Sequence, residues 1–206
     1  MVAEITIVVD NRVGMVRDPY VARHGLAIVV ETDDSLILFD TGPSANVLVN
    51  NLKLAGFDVS FDHVVVSHEH WDHTGGLEAV EGTVHRPGGG EETLDDVVVT
   101  RTFEGEYEGR PMPEQALIVG NVALIGCCHF DLEELLNEYE PRTVVGGLHL
   151  MGATEEELER TAELFWEYGV REVYACHCTG LSESAYLAKV VGGEPAYVPM
   201  RISERL

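Results

Sequence analysis

Short runs of apolar, largely β-branched residues recur at 4–9, 26–31, 35–40 and 63–67, and again at 96–102, 115–119, 122–126, 143–145 and 171–175. Runs of this length between polar or glycine-containing turns predict strands. Asp33 and Asp34 separate the second run from the third, and Gly120-Asn121 separates two later ones, so both pairs should form hairpins. A helical period appears between strands. Residues 44–55 carry Val47, Leu48, Leu52 and Ala55 on one face, and Gly56 supplies a stop. Asp131 opens LEELLNEY with Glu134 three places on, a capping-box spacing, and Pro141 closes it. Thr154 opens EEELERTAELFWEYG with Glu157 at the same spacing; Leu158, Ala162, Leu164, Phe165 and Tyr168 form one face and Gly169 ends it. Residues 182–191 predict a last helix. Hairpins demand antiparallel pairing, and the later strands alternate with helices. The expectation is an α/β fold with a mixed sheet covered by helices.

No repeat, low-complexity tract or Pro/Ser-rich linker divides the 206 residues, so one domain spanning 1–206 is expected. Two stretches, 88–92 and 104–114 (EGEYEGRPMPE), read as loops. Either they are solvated connectors or they form a mobile rim on an active site.

Charge narrows the range of partners. Thirteen Lys and Arg stand against 36 Asp and Glu, a net charge of −23. Such a surface repels phosphate backbones and anionic lipid, so neither nucleic acid nor membrane is an expected partner. A small-molecule substrate is. No apolar run reaches 18 residues, and the N-terminus lacks the basic and small-residue features of a secretory leader, so a cytoplasmic location is expected. Gln115 is the single glutamine and lysines number two, which fits a hot or salty cytoplasm. Nothing in the sequence sets the oligomeric state.

Chemistry concentrates at one point. After the run ending at Val66 comes Ser67-His68-Glu69-His70-Trp71-Asp72-His73-Thr74-Gly75-Gly76. Imidazole and carboxylate are the usual ligands of zinc, iron and manganese. In an extended loop, His68 and His70 fall on one side of the chain, with Glu69 and Trp71 pointing away into packing or solvent. Asp72 and His73 then start a helix and can address a second ion. Three further histidines, His129, His149 and His177, each sit just past the end of an apolar run, where open α/β sheets place ligands. The four cysteines, Cys127, Cys128, Cys176 and Cys178, form two clusters beside histidines. A structural zinc site built from all four is the rival reading, although neighbours on an extended chain face opposite ways. More simply they are small buried residues beside the ligands, with a weak extra ligand among them as the further option.

The run H-x-H-x-D-H followed by T-G-G resembles the metallo-β-lactamase-fold hydrolases. Phe39-Asp40-Thr41-Gly42, Gly126-Cys127-Cys128-His129, Gly146-Gly147-Leu148-His149-Leu150, His177-Cys178-Thr179-Gly180 and the early His24-Gly25-Leu26 fall in the order of one subgroup, the dihydropterin-ribofuranosyl-aminobenzene phosphate synthases of methanopterin biosynthesis. The resemblance implies a four-layer αββα sandwich of two mixed sheets with metals at one edge. It implies two divalent cations, zinc or else manganese or iron. His68, His70 and His129 would hold one, and Asp72, His73 and His177 the other. The family's bridging carboxylate is not evident, and His149 occupies its place in chain order as a substitute or second-metal ligand. Asp72 and His70 are the expected catalytic residues, while Asp40, His24, Cys128 and Thr179 would support ligands or line the pocket. The implied activity is metal-dependent hydrolysis of an ester-type bond, a phosphoester or thioester, in a small metabolite. The alternatives are a synthase using a pterin pyrophosphate and a non-catalytic metal-binding or redox protein.

Overall fold

The computed structural model describes residues 2–14 and 19–206. One six-stranded sheet runs in the order β14 (Met200–Arg205), β1 (Val2–Val9), β2 (Ala27–Glu31), β3 (Leu36–Phe39), β4 (Ser60–Val65) and β5 (Glu81–His85). The second runs β13 (Glu172–Ala175), β12 (Thr143–Gly146), β11 (Val122–Ile125), β10 (Leu117–Val119), β7 (Val97–Val99) and β6 (Glu92–Leu94). Both are mixed. β3, β4 and β5 pair parallel, as do β11, β12 and β13, and the remaining neighbours are antiparallel. A two-stranded ribbon, β8 (Glu106–Tyr107) with β9 (Arg110–Pro111), stands apart. The helices are α1 (Ala45–Ala55), α2 (Trp71–Thr74), α3 (Leu132–Tyr139), α4 (Glu155–Glu167) and α5 (Leu181–Val190).

Nearly every position of the central strands is buried because both faces are covered. The inner faces meet in one core, with Ile5, Ile7, Ile28, Ile37, Phe39 and Val65 packed against Leu117, Val119, Leu124 and Val145. Each such side chain contributes roughly 1.5–3 kcal/mol relative to exposure. On the outer face of the first sheet, Val29, Leu38 and Val64 meet Leu48 and Leu52 of α1. On the outer face of the second, Ala123, Ile125, Val144 and Val173 meet α3, α4 and α5 through Leu135, Ala162, Phe165 and Leu187. This is the αββα sandwich of two mixed sheets that the motifs imply.

Local signals hold where expected. α4 has its full capping box between Thr154 and Glu157, and α1 ends at Gly56 with φ 94°. At α3 the Asp131 side chain accepts from the Glu133 N–H rather than from Glu134. The run at 96–102 is shorter than its apolar character suggests. Asp95 takes φ 51° and turns the chain, so β6 and β7 form a hairpin. β5 and β14 lie at sheet edges, β5 with no buried residue and β14 with only Met200 buried, so they carry too little apolar alternation to predict. The 104–114 stretch is not a plain loop, since it holds the β8–β9 ribbon and a buried Glu114.

Strand directions place the site. β3 and β4 run parallel, and β1 is antiparallel to β2, which is antiparallel to β3; hence β1, β3 and β4 all end at one edge. The ends of β11, β12 and β13 lie together in the same way. Segments 10–11, 40–43, 66–73, 126–129, 147–149 and 176–179 therefore leave the sandwich along a common rim.

Candidate metal centre

The motif loop is held by close backbone approach. Thr41 donates to the His73 carbonyl through its N–H at 2.7 Å and through Oγ1 at 2.8 Å. A Cβ on Gly75 would lie 2.2 Å from the Pro43 carbonyl oxygen, so the D-T-G and T-G-G segments pack as one unit only with glycine there. A Cβ on Gly126 would lie 2.1 Å from Ser67 Oγ, which fixes how closely the exit of β11 approaches the loop. Four of the seven described non-glycine residues at positive φ are Asp40 (59°), Cys128 (62°), His149 (52°) and His177 (50°). Each such conformation costs about 1–3 kcal/mol. Strain is thus concentrated where the strands release their side chains into the rim.

The imidazoles converge. His68 Nε2 lies 3.0 Å from His70 Nδ1, and the donor atoms of His68, His70 and His129 fall within 4.8 Å of one another. Beside them, His73 Nε2 lies 3.1 Å from His177 Nε2, and Asp72 Oδ2 is 3.3 Å from His177 Nε2 and 3.9 Å from His73 Nε2. Both proposed triads are therefore brought together. His149 is exposed; its donor atom groups with those of Cys127 and His129, on the side of the first triad. His24, half-exposed, places Nε2 3.2 Å from Asp72 Oδ2.

Behind the rings stands a set of partners on the other ring nitrogens. Asp40 Oδ2 lies 2.6 Å from His73 Nδ1 and accepts from Ser67 Oγ at 2.7 Å, while Ser67 Oγ also meets His68 Nδ1 at 2.9 Å. Asn11 Oδ1 lies 3.4 Å from His177 Nδ1, and Asp10 Oδ1 accepts from the His177 N–H at 2.8 Å. Asp40 thus engages the ring nitrogen of His73 that faces away from the cluster. Thr179 is buried and structural; its Oγ1 accepts from the Leu148 N–H at 2.9 Å. Cys128 turns toward the Phe130 carbonyl, packs under α3 and does not line the main cleft, because its positive φ points it away from Cys127. Cys176 belongs to the core between the sheets, so the four cysteines do not form one zinc site.

Glu114 had no mark in the sequence. It is fully buried, and its two oxygens take four donors. Oε1 accepts from the N–H of Cys127 (2.8 Å) and Cys128 (3.0 Å), and Oε2 from the N–H (2.9 Å) and Nδ1 (3.0 Å) of His129. Asp10, Asn11 and Tyr107 were also missed. Tyr107, on β8, sets its ring edge-on to His70, His129 and His149 at centroid distances of 4.9, 5.3 and 5.5 Å. The 104–114 segment is therefore a rim over the site rather than a remote connector. Trp71, expected to point away, is 64% exposed and lines the cleft with Met151. Glu69 does point outward, to Arg86. His85 and His63 pair with each other 3.0 Å apart and do not line the cleft.

Electrostatics favour lone pairs at the centre. Burial holds His68 and His73 down to about 3, so both rings are neutral at pH 7. Burial works to raise Glu114, but the hydrogen bond from His129, the nearby His68 and the backbone donors outweigh it and hold it at about 2. Burial pushes Asp40 up to about 7 against His68 and its bonds from Ser67. Asp72 is likewise opposed by burial, yet His177 and His73 keep it below the usual carboxylate range.

A metal fits these residues. Glu114 engages Nδ1 of His129 and leaves the other ring nitrogen, Nε2, facing the cluster. Nε2 is fully buried and has no hydrogen-bond partner. An orphaned buried polar atom is costly, and a cation bound there would complete it. The surrounding nitrogens, carboxylate and thiol form a donor set for a borderline cation such as zinc. The adjoining cleft has a volume of about 440 Å³, and among the described residues neither lysine nor arginine lines it.

The comparisons agree with this frame. Uncharacterized protein MJ0448 of Methanocaldococcus jannaschii is 25% identical over an alignment of 246 positions covering 90% of this chain and 94% of that protein. The 7,8-dihydropterin-6-methyl-4-(beta-D-ribofuranosyl)-aminobenzene-5'-phosphate synthase of the same organism is 34% identical over 73 residues, a third of this chain and a quarter of that one. Among solved structures, Tm1679, described as a metal-dependent hydrolase of the beta-lactamase superfamily, aligns over 97% of this chain and 98% of its own with a TM-score of 0.79 at 22% identity. A diphosphatase from the PhnP family aligns over 100% and 98% with a TM-score of 0.66 at 14% identity, and at these identities the likeness is one of fold. Residues 20–171, which contain the motif loop, Glu114, His129 and His149, match the metallo-beta-lactamase superfamily, and the chain belongs to that family.

Proposed function

We propose that this protein is a metal-dependent hydrolase acting on an ester-type bond, a phosphoester or thioester, of a small metabolite. The observation that carries the reading is the bare, buried Nε2 of His129, facing a cluster of imidazoles in which the outer nitrogens of His68, His73 and His177 are already engaged. Such outer partners fix ring orientation and raise ligand basicity. In this reading His68, His70 and His129 would hold one divalent ion, and Asp72, His73 and His177 a second. Such ions, when bound, polarise the scissile bond and acidify water.

The protein's own residues do the rest. Asp72, kept ionised, accepts a hydrogen bond from the attacking water and aims it. His24 sits on the solvent side of Asp72 and can pass a proton between that carboxylate and bulk water. Tyr107 closes over the imidazoles and restricts water, and Trp71 and Met151 offer apolar contact to the substrate at the mouth. Among the described residues no lysine or arginine lines the cleft. The synthase is a second reading, favoured by the 73-residue match to the pterin enzyme.

The test is chelation followed by reconstitution. Protein stripped of metal should lose turnover of generic phosphodiester and thioester substrates. Zinc, manganese or iron should restore it as two equivalents bind. Turnover that survives complete stripping would refute the reading.

A further inference from the structure

Among the described residues five groups of side chains could hold a cation, and three of them contain Cys127. Its sulfur joins His68 and His73 in one, His129 and His149 in a second, and His177 and Cys178 in a third. The sulfur lies 3.2 Å from His73 Nε2. Cys127 thus touches both triads, whereas Asp72 belongs to the second alone. Its place follows from the backbone. Glu114 gathers the N–H groups of residues 127–129, and the left-handed Cys128 sends the two adjacent thiols opposite ways, Cys127 into the centre and Cys128 into the core under α3. The second, independent pointer is the partnerless Nε2 of His129, whose side chain is only 2% exposed and which shares a group with this sulfur.

We propose that Cys127 is a thiolate ligand shared between the two ion positions, and that it makes the centre select thiophilic cations, zinc or iron(II), over manganese or magnesium. The inference rests on the metal-dependent reading above. On ligation the S–H bond breaks, the proton passes to solvent and the sulfur keeps the electron pair for the cation. Soft sulfur ligands favour zinc and iron, while sites made of imidazole and carboxylate also accept manganese. The rival sulfur is Cys178. It accepts from the His149 N–H at 3.2 Å. Even so, it shares in one group alone.

Cobalt(II) bound to the full chain reads the ligand directly. Wild type should show an intense thiolate-to-cobalt charge-transfer band in the near ultraviolet. Cys127→Ser should lose the band while still binding cobalt through its imidazoles, and Cys178→Ser should keep it. X-ray absorption at the zinc edge of the unaltered protein gives a measure independent of any variant's folding, and should find a sulfur scatterer at about 2.3 Å. Cobalt bound without the band, a band that persists in Cys127→Ser, one lost instead in Cys178→Ser, or a zinc shell without sulfur overturns the proposal and leaves the hydrolase reading standing. Failure of the wild-type chain to bind either metal overturns both.

Discussion

Replacing Glu114 by alanine should destabilise the protein by about 3–5 kcal/mol, the range for removing one partner of a buried charged network. The carboxylate takes three consecutive backbone N–H groups and the His129 ring, and all four donors are left without it. Glu114→Gln should be only a partial remedy. Each oxygen accepts two donors, so either orientation of the amide sets an NH2 against two N–H groups. Metal affinity should fall about 10–100-fold, as for other groups that orient a ligating histidine. The pH dependence has a definite sign. Folding holds this carboxyl at about 2, below the 4.5 of an ordinary glutamate, so its stabilisation is complete above that higher value and disappears as the pH falls through about 2. Urea denaturation of wild type and variant should therefore differ widely at pH 7 and converge in acid. Equal midpoints at pH 7 would remove Glu114 from the framework of the site.

Asp72→Asn should leave the fold intact and lower turnover by about 10²–10⁴-fold, the span of a lost acid–base or water-orienting group. The carboxylate is partly open to the cleft and its neighbours are His24 and His177, so an isosteric amide removes charge without opening a cavity. The metal count should separate the two triads. The ion among His68, His70 and His129 should remain, and the one that needs Asp72 should weaken. Steady-state kinetics with metal analysis on the same preparation checks both halves. A variant within twofold of wild-type turnover would show that Asp72 aims nothing.

What the sequence disclosed follows from how local each signal is. His68, His70, Asp72 and His73 sit within six residues, so their chemistry is visible without a fold, and Asp40 is marked by the glycine turn that follows it. His129 and His177 could be placed because each follows an apolar strand, and strand exits converge in α/β sheets. Glu114 could not. Glu104, Glu106 and Glu108 precede it in the same stretch, and only the tertiary approach of residues 127–129 makes one of these glutamates buried. Asp10 and Asn11 act on His177 across 166 or more positions of sequence, beyond any local pattern. Trp71 does face solvent, but alternation along an extended loop stops where α2 begins, and nothing local shows that the indole also lines the mouth of the cleft. β5 and β14 escaped because edge strands bury too little of either face to show a period.

Anomalous diffraction from crystals grown with zinc, recorded on both sides of the metal's absorption edge, tests the central claim most directly. Two peaks should appear along the rim, one enclosed by His68, His70 and His129 and the other by Asp72, His73 and His177. Zinc bound only at surface carboxylates, with no peak beside His129 Nε2, would contradict it.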